Sequence, residues 1–515
     1  KHAKDAMRKI YEWDSGKFLG EIKEAPETYN VIGNMNEFQV TIGETTFGGR
    51  SELRDKNGIM DYGSLIYVAL QRSRTAREAI KVMTDLVKEY GYYSSGESFS
   101  IADPNEAWIM EMIGKGKGVK GAVWVAVRIP DDCIAAHANQ ARIHQFPLDD
   151  KENCIYSPDV ISFAREKGYF DGLNKDFSFA NAYCPIDFGG LRACESRVWS
   201  FFNMFNKEAG AKYLPYIEAK TKEPMPLYIK PDNKVSVRDI QWAMRDHYEG
   251  TPLDITNDMG ATAFQMPYRL SPLTFEVDGQ KYFNERPIST QQSAFTFVAQ
   301  MRANMPDAVG GVLWFGTDDA NMTVFAPVYC CTNRLPACYS SEVADAVTFS
   351  WDSAFWIYNW VADMIRPRYS LMIDDMRKVQ NKLEDTYADA QAGIESAALA
   401  MHGGVETFAD KAPLHGEFLV AIEGGTLIGA PAHGTVVEDD SFAVAAPHGI
   451  VLYGSLVAHA ATDVAYDYVV GIEVHGVSLQ ADSVAGSCLA CDGKVAVLDT
   501  ELRLELYGAR YIEYD

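Results

Sequence analysis

Four strand-length segments follow one another in the first third of the chain, and this run limits the fold more than any other feature of the sequence. The first two, Ser98–Ala102 and Ala107–Met112, flank the turn DPNE, in which proline fixes φ and aspartate bonds the turn backbone. The segments AVWVAVRI and CIAAHANQARI follow, with PDD turning between them. Short turns join antiparallel strands, so the sequence predicts four consecutive antiparallel segments that end at Ile143.

Helical patterns and a second hairpin lie on either side of this run. In DYGSLIYVALQRSRTAREAIKVMTDLVKEYG the apolar residues recur at helical spacing, Thr75 caps the second helix and Gly91 ends it. Farther along, Val312–Gly316 and Thr323–Tyr329 flank a polar turn and predict a hairpin. Antiparallel hairpins combined with helices predict an α+β fold.

The length predicts more than one domain. The chain has 515 residues, whereas a single hydrophobic core stops growing at about 250–300 residues. The stretch HGGVETFADKAP, after Met401, is a plausible linker, and the residues beyond it are poor in Lys and Arg and contain many short strand-like segments. Such spacing is typical of a β-sandwich or a β-solenoid. We therefore expect one domain at residues 1–401 and a β-rich accessory domain at residues 413–515.

The charge balance excludes several classes of partner. Net charge is −24, whereas binding to nucleic acid or to an anionic membrane surface requires clustered Lys and Arg. No run of apolar residues reaches the ~18 that a spanning helix needs. The first residues, KHAKDAMRKIYEWD, contain no apolar segment of the kind found in a signal peptide, and a cleaved signal would leave no trace here.

The cysteines leave their pairing open and give no metal signature. The sequence has nine cysteines. Cys184 and Cys194 are one candidate disulfide pair and Cys488 and Cys491 are another, but sequence alone cannot set the connectivity. The last two form the motif CLAC, which lacks a second pair of zinc ligands. The sequence also contains no P-loop, no nucleophile elbow and no H-E-x-x-H motif. We therefore expect neither a metal nor a cofactor.

One group of candidate site residues lies in NMNEFQVTIGETTFGGR. Asn36 sits in a turn, Glu44, Thr45 and Thr46 follow a strand, and two glycines then allow close approach of the backbone. Each residue also has a structural interpretation, because an asparagine can cap a turn and two threonines can simply belong to a strand. Asn36 and Glu44 are our candidate substrate-binding residues.

A second group consists of Asn139 and Arg197. Asn139 ends an apolar segment, where burial of an unpartnered amide costs about 2–7 kcal/mol, and Arg197 lies within the apolar stretch VWSFF. Strand alternation would place His137 and Asn139 on one face of the segment. The structural alternatives are an asparagine that satisfies a turn and an arginine that pairs with Glu195.

Taken in order, these segments resemble the dipeptidase A family of cysteine peptidases, which belongs to the N-terminal-nucleophile hydrolases. The resemblance rests on IYEWDSGKFLG, VIGNMNEFQVTIGETTFGGR, YGYYSSGESFSIADPNEAWIMEMIG, AHANQARI and GGVLWFGTDDANMTVFAPVY, and it extends from about Ile10 to Leu399. It implies an αββα sandwich of two antiparallel sheets between helices. It also implies hydrolysis of dipeptides by the thiol of an amino-terminal cysteine, with the α-amine of that residue as the base.

The resemblance also assigns roles to individual residues. Asn139 is the candidate side-chain donor to the oxyanion, and a backbone N–H near Thr45 or Thr46 is the second donor. Arg197 resembles the arginine that holds the surroundings of the nucleophile. This chain starts at Lys1 rather than at cysteine, so we expect the family's opening segment, with the nucleophile, to precede it. None of the nine cysteines present can replace that residue.

The expected function is that of a cysteine dipeptidase whose only predicted partner is its dipeptide substrate; self-association into a homo-oligomer is left open. Relatives with similar sequences commonly carry export signals, so we expect a periplasmic or secreted protein. Two alternatives remain at this point. One is an inactive hydrolase shell that acts in binding or assembly. The other is an N-acyl amidase of the bile-salt or penicillin-V hydrolase type.

Overall fold

The computed structural model describes residues 1–269, 274–332, 334–401 and 418–423. The strands of these ranges are β1 Met7–Tyr11, β2 Phe18–Lys23, β3 Val31–Ile32, β4 Met35–Asn36, β5 Thr41–Gly48, β6 Gly96–Ala102, β7 Ala107–Gly114, β8 Ala122–Ile129, β9 Ile134–Ala135, β10 Cys154–Tyr156, β11 Tyr228–Ile229, β12 Thr274–Val277, β13 Gln280–Phe283, β14 Phe295–Met301, β15 Val312–Thr317, β16 Ala326–Tyr329 and β17 Phe418–Glu423. The α-helices are α1 Tyr62–Leu70, α2 Ala76–Tyr90, α3 Val160–Glu166, α4 Phe179–Tyr183, α5 Ser196–Phe205, α6 Lys207–Ile217, α7 Val237–Ala243, α8 Asp307–Gly310, α9 Ala354–Ile365 and α10 Tyr369–Met401.

The larger sheet is antiparallel and has the order β10-β8-β7-β6-β5-β4-β3. Its centre contains the predicted hairpin, since β6 and β7 pair from Glu97↔Met112 to Ala102↔Ala107. Helices α1 and α2 cover one face of this sheet, where Phe99 lies in one apolar cluster with Leu65 and Met83. The side chain of Thr75 caps α2 and Gly91 ends it, which confirms both helix-end predictions.

The second sheet has the order β16-β15-β14-β17 and is also antiparallel. Strands β15 and β16 form the predicted hairpin, although the second strand begins at Ala326 rather than at Thr323. Ala326 is the residue that pairs with Phe315, so the residues before it lengthen the polar turn. The backbone of β17 adds to the free side of β14, from Thr296↔Glu423 to Met301↔Phe418.

One apolar cluster joins the two sheets. Met35 and Ala102 of the larger sheet share a cluster with Phe297 and Leu313 of the smaller one. On its other face the smaller sheet contributes Val298 and Trp314 to a cluster that includes residues of α9 and α10. The chain is therefore an α+β protein with several antiparallel sheets, as predicted.

The fourth predicted segment of the first sheet does not extend that sheet. Only Ile134–Ala135 of CIAAHANQARI is a strand, and it pairs with β11, whereas β10 takes the place beside β8. The polar side chains that follow bond to other parts of the protein, which removes the segment from the ladder. The face assignment for His137 and Asn139 therefore does not hold, because Asn139 has a left-handed φ of 59° rather than an extended conformation.

The predicted accessory domain at residues 413–515 lies outside the described residues, apart from the backbone of β17. The proposed pair Cys488 and Cys491 lies outside them as well, and the domain boundary remains a prediction. Cys184 and Cys194, the other candidate pair, are both free thiols. Among the helices that the structure describes, none has the length and apolar character to cross a membrane.

Candidate active site

Asn139 lies where the backbone turns sharply after β9, and both ends of its amide are held. Nδ2 donates to the carbonyl oxygen of Thr46 at 2.7 Å, and Oδ1 accepts from Arg197 Nη2 at 2.8 Å. Asparagine tolerates the left-handed conformation that this turn requires. An amide nitrogen has two N–H groups, so one N–H is used by Thr46 and the orientation of the second is fixed by these two bonds.

Arg197 reaches Asn139 from the first turn of α5, which is preceded by a wide turn. Residues Gly190–Glu195 form a π-helical turn, in which the backbone N–H of Ser196 bonds the carbonyl of Leu191, five residues back. Arg197 Nε donates to the carbonyl oxygen of Ala193 at 2.7 Å, and its Nη2 also contacts the carbonyl of Ala138 at 3.1 Å. The buried guanidinium thus joins α5 to the turn that carries Asn139.

A buried ion pair holds the segment just after Asn139. Arg142 Nε lies 2.7 Å from Glu195 Oε1, with side chains that are 1% and 4% exposed. Glu195 therefore pairs with Arg142. Arg197 bonds Asn139 rather than Glu195, the partner that the structural alternative assigned to it. On β7, the carboxylate of Glu111 accepts the backbone N–H of Ile143 at 3.1 Å. Residues on both sides of Asn139 are fixed by charged groups.

His137 connects the same turn to the larger sheet. Its Nδ1 lies 2.7 Å from Thr45 Oγ1 and its Nε2 lies 2.8 Å from Ser100 Oγ. A neutral imidazole donates from one ring nitrogen and accepts at the other, and two hydroxyl groups satisfy either tautomer. Burial, together with the charges of Arg142 and Arg197, lowers the pKa of His137 to about 3. His137 is therefore neutral over the physiological range.

This lowered pKa predicts how stability depends on pH. Unfolded histidine protonates near pH 6.5 but His137 in the folded protein does so near 3, so the unfolded state binds the extra proton. The stability that the neutral, buried His137 contributes to the folded protein is therefore fully present above pH 6.5, and it is lost as pH falls toward 3. Replacing His137 with Asn should therefore reduce the difference in free energy of unfolding between pH 7 and pH 4.5 by about 2–3 kcal/mol. Urea unfolding of the unaltered protein and of His137→Asn at both pH values measures this difference. An equal loss of unfolding free energy in the two proteins between pH 7 and pH 4.5 would contradict the prediction.

A cavity of about 780 Å³ lies beside this turn. Its lining includes Glu44, Thr45, Ser100, His137 and Arg197. Ligand sites commonly occupy about 300–1,000 Å³ and combine apolar walls with a few polar groups, so the cavity has room for a small peptide.

The structure brings four of the six predicted site residues together. Asn139 contacts Thr46 and Arg197, and Thr45 of β5 contacts His137, which lies in the same turn as Asn139. It is the carbonyl of Thr46 that meets Asn139, and a donor role for a backbone N–H near Thr45 or Thr46 stays a prediction.

Asn36 lies apart from this group. It is fully buried, its Nδ2 donates to the carbonyls of Leu70 and Ser73, and its Oδ1 accepts from Phe38 and Val40. Those bonds hold the β4–β5 turn against the end of α1. A substrate contact for Asn36 remains a prediction.

The cysteines of the described ranges have raised rather than lowered pKa values. Burial is the first cause in all seven, and it raises the pKa of the Cys133 thiol, near the turn, to about 11. The thiolate is the form that attacks a carbonyl. These seven residues are therefore protonated at neutral pH, as expected of structural cysteines.

Sequence reasoning missed three contributors to this site, Glu97, Glu111 and Arg142, and it considered Glu195 only as a partner of Arg197. A signal existed for Glu97 and Glu111, because GESFSIA and AWIMEMIG each place a single carboxylate in an otherwise uncharged strand. Buried carboxylates require partners, so such a residue marks a position where another segment must arrive. The ion pair between Arg142 and Glu195 had no local signal, since its members lie on separate elements.

Comparison with known proteins shows which family the chain belongs to. The sequence profile of peptidase family C69 matches residues 3–382, a range that contains every residue of the site described above. The chain is 28% identical to a probable dipeptidase of Salmonella dublin over 293 residues, which are 56% of this chain and 59% of the relative. It is 26% identical to a probable dipeptidase of Latilactobacillus sakei over 350 residues, 67% of this chain and 66% of the relative.

Dipeptidase A of Lactobacillus helveticus is 23% identical over 323 residues, which are 62% of this chain and 59% of that protein. The match with these three relatives thus spans about three fifths to two thirds of their length.

Proposed function

Because the chain belongs to peptidase family C69, we propose that it acts as a cysteine dipeptidase. The observation that carries the proposal is the bonding of Asn139 to both Thr46 and Arg197 beside a cavity of peptide size, within the range matched by the family profile. The relatives named as dipeptidases support a dipeptide substrate. The resemblance to N-terminal-nucleophile hydrolases supplies the nucleophile, the thiol of an amino-terminal cysteine.

The fold proposed for this function is the αββα sandwich of that superfamily. It is supported by two antiparallel sheets whose facing sides share one apolar cluster. Further support comes from helices α1 and α2 on one outer face and from α9 and α10 on the other.

The chemistry follows from these groups. The α-amine of the amino-terminal cysteine has an ordinary pKa of about 7.7–8.0 and can take the thiol proton near neutral pH. The sulfur then bonds to the substrate carbonyl carbon, and the carbonyl oxygen becomes an oxyanion. The second N–H of Asn139 donates to that oxygen, with Arg197 and Thr46 holding the amide in place.

Collapse of this intermediate breaks the C–N bond, and the leaving amine receives the proton from the α-ammonium. Water then hydrolyses the thioester, which releases the first amino acid and restores the thiol. Asn139 donates to the oxyanion in both halves of the reaction, so its role does not depend on which half limits the rate.

Substrate turnover tests this proposal directly. The protein in its full natural form, with its first residue determined by intact mass, is assayed with a dipeptide panel and with penicillin V and glycocholate. We expect dipeptides to be cleaved at least about 100-fold faster than either N-acyl substrate, a difference of about 2.7 kcal/mol in transition-state stabilisation. We also expect iodoacetamide to abolish turnover and the first residue to be cysteine.

Other outcomes would replace the proposal. Preferred turnover of the N-acyl substrates would assign the protein to amidases of the bile-salt or penicillin-V type. A first residue other than cysteine, combined with no turnover of any substrate, would favour a binding or assembly protein built on a hydrolase shell.

A further inference from the structure

Two carboxyl groups lie side by side where β5 and β6 approach the candidate site. Thr46 pairs with Glu97 across the two strands, and Glu44 lies two residues before Thr46, on the same face of the sheet. The hydroxyl of Thr46 donates to Glu97 Oε1 at 2.8 Å. The carboxyl groups of Glu44 and Glu97, here called the carboxyl pair, also interact directly with each other.

The carboxyl pair lacks a cationic partner among the described residues. Oε2 of Glu44 and Oε2 of Glu97 are buried and accept no hydrogen bond there, and Glu97 is only 1% exposed. The titratable groups that face the pair from neighbouring elements are Asp14 of the β1–β2 turn, Tyr62 of α1, and Tyr92. All of them are acidic or phenolic, so the surroundings favour the arrival of a positive charge.

Thr46 joins the carboxyl pair to the candidate active site. Its hydroxyl bonds Glu97 while its carbonyl oxygen accepts from Asn139. Glu44 is partly exposed and lines the 780 Å³ cavity together with Thr45. A ligand in the cavity can therefore reach the carboxyl pair through Glu44, and it lies beside Arg197, the residue that holds the amide of Asn139.

We propose that the carboxyl pair is the acceptor site for the protonated primary amine of the substrate, an inference that rests on the proposed dipeptidase function. An ammonium group offers three N–H donors and one positive charge, which match the two unpartnered oxygens of the pair. An N-acyl substrate has neither the charge nor the three donors. The carboxyl pair therefore selects peptides with a free amino end and excludes N-acyl amides.

The protonation of the pair gives this selection a second signature. Burial raises the pKa of Glu44 to about 7, with Asp14 adding to the shift, and burial and Glu44 raise the pKa of Glu97 well above its usual range. The carboxyl pair is therefore partly protonated near neutral pH. An arriving ammonium stabilises the ionised pair, so binding is accompanied by release of a proton to solvent.

Conservative variants of the carboxyl pair distinguish recognition of the substrate amine from a purely structural role. Glu97→Gln keeps an oxygen that can accept from Thr46, and both it and Glu44→Gln remove one ionisable group. Each should lower kcat/KM for alanyl-alanine by about 10- to 100-fold, as expected for loss of a hydrogen bond to a charged group. The value for N-acetyl-alanyl-alanine should change by less than twofold.

Glu89→Gln, an exposed substitution on α2, is the matched control and should leave both values unchanged. Equal losses on the two substrates would overturn the acceptor role and make the pair a structural element. If the unaltered protein cleaves neither substrate, the dipeptidase function fails instead.

Calorimetry tests the same inference without activity and without variants. The probe is the ketomethylene isostere of alanyl-alanine, titrated into the unaltered protein at pH 7 in phosphate and in Tris. We expect the binding enthalpy to differ between the buffers by the amount that corresponds to release of a fraction of one proton up to one proton. The N-acetylated isostere should bind at least about 10-fold more weakly. Equal affinities of the two isosteres with no proton release would overturn the inference.

Discussion

Replacing Asn139 with glycine is expected to lower kcat for dipeptide hydrolysis by about 100- to 1,000-fold, the loss that follows removal of one oxyanion donor. The amide of Asn139 spends one N–H on the Thr46 carbonyl and is held at its oxygen by Arg197. Its second N–H thus needs no reorganisation when charge develops on the substrate. Because that charge exists only during reaction, KM should change far less than kcat.

Glycine is the informative replacement because of the backbone at this position. Asn139 has φ of 59°, and alanine in that conformation would add about 1–2 kcal/mol of strain, which glycine avoids. Gln265 is a matched control, since it is an exposed amide residue with φ of 54°. Gln265→Gly should keep full activity. Steady-state kinetics on one dipeptide decides the matter, and an unchanged kcat in Asn139→Gly would remove Asn139 from the reaction.

Replacing Arg142 with methionine is expected to reduce the free energy of unfolding by about 3–5 kcal/mol, the usual cost of leaving one member of a buried ion pair alone. Arg142 also donates to the carbonyl oxygens of Ala136 and Pro226 at 2.9 Å. Those carbonyls would lose their donor together with Glu195. Denaturant unfolding measured at pH 7 and pH 5 checks the prediction.

The pH dependence identifies the cause of that loss. Burial already raises the pKa of Glu195, and the charge of Arg142 opposes this shift. Without Arg142 the folded-state pKa of Glu195 rises further, so its destabilising effect is largest at high pH and fades as pH falls toward the ordinary value near 4.3. The loss should therefore be smaller at pH 5 than at pH 7. Lys81→Met, which breaks an exposed ion pair with Asp85, should cost less than about 1 kcal/mol, and an equal loss in both variants would contradict the argument.

Local patterns predicted the parts of the fold that are built locally. The turn DPNE and the alternating residues around it were enough to identify the β6–β7 hairpin, and Thr75 and Gly91 identified the ends of α2. The pairing of Ile134–Ala135 with Tyr228–Ile229 was not predictable in this way. A strand segment carries no record of which distant segment supplies its partner, so the neighbour in sequence was the wrong choice.

In the candidate site, too, some residues were predictable from the sequence and others only from the three-dimensional structure. The resemblance to a known family identified Asn139 and Arg197, and the structure joins them by a 2.8 Å bond. It did not identify the ion partner of Glu195, because Arg142 and Arg197 carry the same charge and only their three-dimensional positions distinguish them. The carboxyl group of Glu97 inside its strand was a signal that another segment must arrive, but its acidic neighbours Glu44 and Asp14 lie on other elements and were not predictable from the strand.

The wide turn at Gly190–Glu195 makes the chain unusually sensitive to its own length at one place. A π-helical turn holds one residue more than an α-helical turn, and each residue of a helix advances the direction of its side chains by about 100°. Deleting a single residue there would convert the turn to α-helix and rotate everything before α5 relative to Arg197. Surface loops tolerate insertions and deletions. In this turn the residue count sets the angle at which the guanidinium meets Asn139, so a change of length there would separate the two side chains.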